Sequence, residues 1–178
     1  MQLFTGPSIS TMVHGVVLGG GALMALFAAL FSLYSMRPAQ ASAVPSAAPS
    51  RAVALLLVAA AAALWLTVLG GTYVVFPPYR VTPPEGVTAL AAYPRAFVLA
   101  DPSTAWLHSF GMEIKEHVPW IAAMITTGVA FVATRAREGL WSDRELHATA
   151  MVLIGLCVGL VACVSLLGVF VNKVAPVQ

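Results

Sequence analysis

Uncharged apolar runs alternate along this chain with short segments that hold nearly all of its charged residues. No Asp, Glu, Lys or Arg occurs in residues 1–36, 52–79, 118–134 or 146–172. A helix needs about 20 apolar residues to cross a bilayer, and three of these runs are longer than that. The third run is shorter, but the amphipathic segment 105–117 leads directly into it. The pattern therefore predicts four membrane-spanning segments.

The expected fold is an all-α integral membrane protein, a four-transmembrane-helix bundle that forms a single membrane domain over residues 1–178. A bilayer core permits only helices or closed barrels, and these runs lack the period-2 alternation of barrel strands. The spans are expected at about residues 10–36, 52–76, 105–135 and 147–172, with an outer loop over 77–104. Prolines at 77, 78, 83, 84, 94 and 102 predict that this loop contains no helix, and Asp101-Pro102-Ser103 is a start signal for the third span.

Composition narrows the class of protein further. The chain is 60% hydrophobic and 9% charged, whereas about a quarter of the residues in a soluble domain are charged. A net charge of +2 is too small to predict a nucleic-acid partner. No charged residue lies in the middle of a span, which argues against ion-coupled transporters and proton pumps. The sequence contains no nucleophile–base constellation and no phosphate loop, so a subunit of a larger membrane complex is expected rather than a free-standing enzyme.

Basic residues predict the orientation in the membrane. Arg37 and Arg51 lie between the first two spans, and Arg135, Arg137 and Arg144 lie between the last two. The opposite side carries Arg80, Arg95, Lys115 and Lys173, interleaved with acidic residues. Short cytoplasmic loops are enriched in Lys and Arg, so both termini are expected outside a bacterial-type inner membrane. Ala39-Gln40-Ala41 is similar to a signal-peptidase site, but no basic segment precedes the long apolar run, so the first helix is expected to be retained.

Four histidines are the candidate chemical groups in this apolar chain. On the predicted topology His14, His108 and His117 lie near the outer face of the membrane, and His147 opens the fourth span on the cytoplasmic side. His108 and His117 are about 900° apart on one continuous helix, so they lie on opposite faces and cannot clamp the same iron. His147 follows the charged helix start Asp143-Arg144-Glu145 and has no histidine partner on its side, which favours a structural role.

A b-type haem is the cofactor that this arrangement predicts. Two neutral imidazoles from different helices typically hold a six-coordinate haem, which makes His14 and His117 the expected axial ligands and metal site. His108 with His14 is the competing pair. Gly21, Gly70 and Gly71 are candidates for close approach of the helix backbone to the macrocycle, and Arg80, Arg95 or Lys115 for binding its propionates. The alternative is that these histidines only anchor helix ends at the interface and that the glycines only pack helices.

A second metal site is conceivable around the polar segment 108–117. Glu113 and His117 are four residues apart and share a helix face, so with Glu116 they could form half of a carboxylate–histidine site. A di-iron bundle needs Glu-x-x-His on two helices and two further glutamates. No other span supplies those ligands, so an interfacial helix with Glu–Lys pairs is the favoured interpretation.

In architecture, four spans with His14 and His117 at one leaflet resemble the small membrane-anchor b-type cytochrome subunits of respiratory complexes. This resemblance implies a haem between bundle histidines and electron transfer to or from quinone, through an outer-side cytochrome or a quinol at the interface. Only one histidine lies on the cytoplasmic side, so the two-haem pattern of such subunits does not match.

A cofactor-free subunit is the alternative function. Gly155-x-x-x-Gly159 and Gly159-x-x-x-Cys163 form stripes of small residues in the fourth span. Such stripes allow two membrane helices to approach closely. A structural or assembly subunit that packs against other membrane subunits is therefore also expected from this sequence.

Overall fold

A computed structural model describes residues 5–36 and 47–176 of the 178-residue chain. Arg37 and the Ala39-Gln40-Ala41 segment lie outside the described residues. Within the described ranges the structure contains one 3₁₀-helix (Leu90–Ala92) and six longer helices: α1 (Gly6–Ser35), α2 (Ala47–Tyr79), α3 (Pro94–Ala100), α4 (Leu107–Arg135), α5 (Arg137–Ser142) and α6 (Arg144–Val174). Helices α1, α2, α4 and α6 are long and apolar enough to cross a membrane. The predicted all-α four-helix membrane bundle is confirmed.

Polar caps, rather than the apolar pattern, set where α1 and α6 begin. Thr5 and Ser8 form a capping box, and Pro7 occupies the first turn, so α1 begins earlier than the expected residue 10. Asp143 caps α6 by accepting hydrogen bonds from the amides of Glu145 and Leu146, at 2.8 Å and 3.1 Å. That helix therefore begins at Arg144 instead of His147.

The connection between α2 and α4 is more helical than its prolines predicted. Pro77 and Pro78 lie inside the last turn of α2, which extends to Tyr79, and Pro94 is the first residue of α3. The expectation that prolines exclude helix from this segment is wrong at both places. Proline fits the first turn of a helical segment, where its missing N–H has no intrahelical partner to lose. Pro94 has this position in α3, and Pro77 and Pro78 have it in the short α-helical segment Phe76–Tyr79 that ends α2.

The start signal ahead of α4 is a turn around Asp101. The amide and the hydroxyl of Ser103 both donate to Asp101 Oδ1, at 2.8 Å and 2.7 Å. These hydrogen bonds hold the pKa of the exposed Asp101 carboxyl below its ordinary value. The Asp101 carbonyl accepts from the amides of Thr104 and Ala105, which leads the chain into the helix.

The four long helices form a ring in which α1, α2, α4 and α6 each pack on two neighbours. Small side chains dominate the core between them, as packing between membrane helices requires. Ala22, Ala60, Ala122 and Ala150 are buried examples from the four helices. Trp65 of α2 reaches α4, where its indole Nε1 donates to the Thr127 hydroxyl at 3.0 Å. Both described chain ends lie at one end of this ring, which we call the termini end.

The outer surface of the bundle is apolar and its hydroxyl groups are satisfied within the helices. Large side chains on all four helices point outward, including Met24, Leu55, Phe131 and Val152. Hydroxyls in the spans donate to the carbonyl one turn earlier, including those of Ser32, Thr67, Thr126, Thr134 and Ser165. This is the surface that a lipid-embedded bundle requires, because no water is present to bond exposed polar groups.

His147 ties three helices together at the end of the bundle opposite the termini. Its side chain is 3% exposed, and its Nε2 lies 3.1 Å from the Leu33 carbonyl in the last turn of α1. Its Nδ1 lies 3.3 Å from the Leu140 carbonyl of α5, and its ring packs against Trp141, with 5.2 Å between the ring centroids. The contacts are those of a structural residue, in agreement with the sequence interpretation.

We expect His147→Leu to lower the free energy of unfolding by about 1–3 kcal/mol, because buried carbonyls lose a hydrogen-bond donor. Unfolding of the purified protein by SDS titration in mild detergent measures this change. His117→Leu is the matched control, since that side chain is 71% exposed and should leave stability nearly unchanged. Equal stability of the two variants would show that the His147 contacts do not hold the helices together.

Candidate functional site

A cavity opens at the termini end, where all four long helices contribute to its wall. Its volume is about 320 Å³, within the range of about 300–1,000 Å³ that small-molecule and cofactor sites occupy. Most of the wall is apolar. Its polar side chains are Thr11, His14, Thr67, Thr72, Tyr79, Lys115, Glu116, His117 and Asn172. Apolar walls with a few convergent polar groups are typical of ligand sites.

The helical backbone is widened around this cavity. Three segments form π-helical turns, Val13–Gly19 in α1, Gly71–Val75 in α2 and Leu107–Met112 in α4. All three lie at the termini end, and among the described residues no π-helical turn lies at the other end. A π-helical turn shifts each hydrogen bond by one residue and occurs frequently at functional sites. The π-helical turns and the cavity therefore lie at the same end of the bundle.

His14 lies in the first π-helical segment, and its ring fits against the backbone of Gly71. A methyl group at Gly71 would lie 2.7 Å from His14 Cε1, closer than real side chains approach. The backbone of Thr67 lies beside the ring, whose Nδ1 is buried and has no hydrogen-bond partner. Gly71 was expected to make room for a macrocycle. In the structure the group that occupies this room is the imidazole of His14.

His117 lies at the rim of the same cavity on α4. Its Nδ1 lies 2.8 Å from the Glu113 carbonyl of its own helix and 3.7 Å from the Glu113 carboxylate. A carbonyl oxygen only accepts, so Nδ1 carries the proton in the neutral ring and Nε2 keeps a free lone pair. The structure therefore brings together the two histidines that the sequence paired, on different helices.

His108 is held outside the cavity by two neighbours. Arg95 Nε donates to His108 Nε2 at 3.2 Å, which leaves the ring proton of the neutral imidazole on Nδ1. That nitrogen lies 3.1 Å from the Tyr79 hydroxyl and donates to it. Both ring nitrogens are thus occupied. His108, the competing ligand in the sequence interpretation, has no lone pair left for a metal.

The three candidate cations have different surroundings. Arg80 is exposed and stacks on the Phe76 ring, 5.3 Å from its centroid. Arg95 donates to His108, as described above. Lys115 lines the cavity, where its Cε lies 3.2 Å from the position that a methyl group at Gly168 would occupy. Of the three, Lys115 is the cation that faces the cavity.

The remaining predicted residues are more peripheral. Gly21 is exposed and Gly70 contacts Leu18, and neither contributes to the cavity wall. Glu116 lines the cavity, but within residues 5–36 and 47–176 no group of three His, Cys, Asp or Glu side chains could hold a metal ion. The half-site of Glu113, Glu116 and His117 therefore acquires no further ligand among the described residues.

Several lining residues carried no recognised signal in the sequence. Trp120 is held edge-to-face by Trp65, with 5.7 Å between the ring centroids, and Asn172 enters from the end of α6. The π-helical turns were also not predicted. A glycine occurs in each of them, at Gly15, Gly71 and Gly111, but glycine is common in membrane helices and does not identify such turns.

Comparisons with protein-family models, with curated protein sequences and with solved structures find no match to this chain.

We expect Gly71→Ala to destabilise the protein by about 1–3 kcal/mol, because the added methyl group overlaps the His14 ring. Gly70→Ala is the matched control, since its methyl group would lie 3.8 Å from a Leu18 methyl carbon, an ordinary contact. SDS titration of both variants measures the difference. If the two alanine variants unfold alike, the His14 ring does not lie against Gly71.

Proposed function

We propose that this chain is an integral membrane electron-transfer subunit that binds one b-type haem at the termini end, with His14 and His117 as axial ligands. The observation that carries the proposal is that these two histidines come from different helices and line one cavity. Haem supplies one-electron exchange at its iron, and the protein supplies the ligands and the apolar surroundings.

The hydrogen bonds of the two rings support this assignment. A metal-ligating histidine usually donates its other ring N–H to a backbone carbonyl or a carboxylate, which fixes its tautomer and orientation. His117 has this arrangement with the Glu113 carbonyl. Each ring keeps one nitrogen without a hydrogen-bond partner among the described residues. Such an orphaned buried nitrogen, as in His14, is what a ligand position provides before iron is bound.

The walls of the cavity suit a flat apolar cofactor. Trp120, Phe76 and Met112 contribute large apolar surfaces on different helices. Trp65 fixes the orientation of Trp120, so that wall is rigid. A rigid apolar wall excludes water from a redox centre and raises the strength of its electrostatic interactions.

Orientation in the membrane decides which redox partner can reach the site. Arg51, Arg135, Arg137 and Arg144 lie at the end opposite the termini. By the positive-inside rule that end faces the cytoplasm of a bacterial-type cell, and both termini and the cavity face outward. The electron partner is then an outer-side cytochrome or a quinol at the interface, and the subunit belongs to a larger respiratory or redox complex.

The test is a reduced-minus-oxidised absorption spectrum of the purified protein. Wild-type protein should show b-type bands, and His14→Ala and His117→Ala should each lose them because iron loses an axial ligand. Imidazole added to either alanine variant should restore the bands by filling the vacated ligand position. His108→Gln is the control and should keep the wild-type spectrum. A wild-type protein without b-type bands after growth with haem precursors would falsify the proposal.

A cofactor-free assembly subunit is the second candidate, and a specific observation favours it. A methyl group added at Gly155 or Gly159 of α6 would have no neighbouring atom within 4 Å, so their helix face is open among the described residues. Cys163, one turn further, is exposed on the same helix. Small residues on an open helix face allow the helix of a partner subunit to approach closely.

We expect Gly155→Leu and Gly159→Leu to release this chain from its membrane complex, because the added side chains hold the partner helix away. Gly128→Leu on α4 is the control, since that glycine is equally open but lies on another helix. Blue-native electrophoresis of membranes solubilised in mild detergent measures the assembly. Intact complexes in both α6 variants would exclude this face as the contact.

A further inference from the structure

Lys115 points into the bundle, whereas a lysine near a helix end in a membrane usually extends toward water. Its side chain crosses from α4 to α6. There its Cε lies 3.2 Å from the position that a methyl group at Gly168 would occupy. It lines the cavity together with Asn172 of α6 and Thr11 of α1. Because Gly168 lacks a side chain, the lysine stem can take this inward path.

The Lys115 ammonium has no counter-ion among the described residues. It forms no hydrogen bond and no ion pair with any side chain in residues 5–36 and 47–176. Glu116, the next residue, influences it electrostatically without contact, and Glu113 pairs with His117 instead. An unpaired cation in apolar surroundings is expensive, and a charged group buried in a membrane protein commonly binds a ligand.

We infer that Lys115 binds an oxyanion, a carboxylate or phosphate group, on the amphiphilic molecule that occupies the cavity. Arg80 and Arg95 are engaged by Phe76 and His108 outside the cavity, so neither competes for this role. Lys115 and His14 are close enough to interact electrostatically, which brings the oxyanion beside the proposed iron ligand. The Asn172 carboxamide on the same wall can donate a second hydrogen bond.

Two sources can supply this oxyanion. One is a propionate of the bound haem, and in that case the inference rests on the proposed function. The other is the phosphate of an anionic lipid headgroup that enters the cavity from the surrounding bilayer. Both present oxygen acceptors to an ammonium, and a charge-assisted hydrogen bond of this kind is shorter and stronger than a neutral one.

The first arm of the test compares haem b with its dimethyl ester, in which both propionates are blocked. Apo-protein is titrated with each form, and affinity is measured from the absorption spectrum. If a propionate binds Lys115, wild-type protein should prefer haem b by about tenfold or more, the effect of one charged hydrogen bond. Lys115→Met keeps the stem and should bind both forms equally. Lys115→Arg should retain the preference.

The second arm measures retention of anionic lipid. Protein from vesicles of phosphatidylglycerol or of phosphatidylcholine is analysed by native mass spectrometry. If a lipid phosphate binds Lys115, wild-type protein should retain phosphatidylglycerol selectively and Lys115→Met should not. Lys173→Met is the control in both arms, because Lys173 is an exposed cation at the same end of the bundle.

Loss of selectivity in Lys115→Met in either arm, with Lys173→Met unchanged, supports the inference and identifies the source. Equal selectivity of Lys115→Met and wild type in both arms overturns it, as does a wild-type protein that shows no preference in either arm. Failure of the proposed function gives a different result from failure of this inference. If neither haem form gives a b-type spectrum, the haem assignment fails and the lipid arm alone decides the role of Lys115.

Discussion

Hydrogen bonding of the backbone inside a bilayer is the constraint on which the rest of this structure depends. Every N–H and C=O group in the apolar runs has to be bonded within its own helix, which excludes irregular chain and open sheets there. A π-helical turn satisfies this demand with a shifted bonding pattern and a wider helix. The chain uses such turns at the termini end of α1, α2 and α4, where the cavity opens. The bundle can therefore contain a polar site without unpaired backbone groups in lipid.

The four histidines differ in their hydrogen-bond partners, and this difference distinguishes their roles. His147 faces two carbonyl groups and links α1, α5 and α6 at the end opposite the cavity. His108 accepts a hydrogen bond from Arg95 at one ring nitrogen and contacts the Tyr79 hydroxyl at the other. His14 and His117 each keep a nitrogen without a hydrogen-bond partner among the described residues, and both line the cavity. Bonded histidines stabilise this fold, and the two partly bonded ones are available for chemistry.

Glycine has three distinct uses in this bundle. Gly71 makes room for the His14 ring, and Gly168 makes room for the Lys115 stem, so both position polar groups of the cavity. A methyl group added at Gly155 or Gly159 would meet no atom of the described residues within 4 Å, so these glycines leave a helix face open. A haem-binding subunit that also assembles into a larger complex would use the glycines of the cavity together with those of the open helix face.

The length and spacing of the apolar runs were sufficient to predict the fold, because a bilayer leaves a run of this length hardly any alternative to a helix. The sequence also paired His14 with His117, since helix periodicity and span order place both at one end. The sequence could not predict which nitrogens of each histidine ring have a hydrogen-bond partner. Both nitrogens of His108 are occupied by Arg95 and Tyr79, which are distant from it along the chain. The path of Lys115 likewise depends on Gly168 of another helix. The pattern of apolar residues along the chain determined the helices, and contacts between the helices decided which polar groups face the cavity.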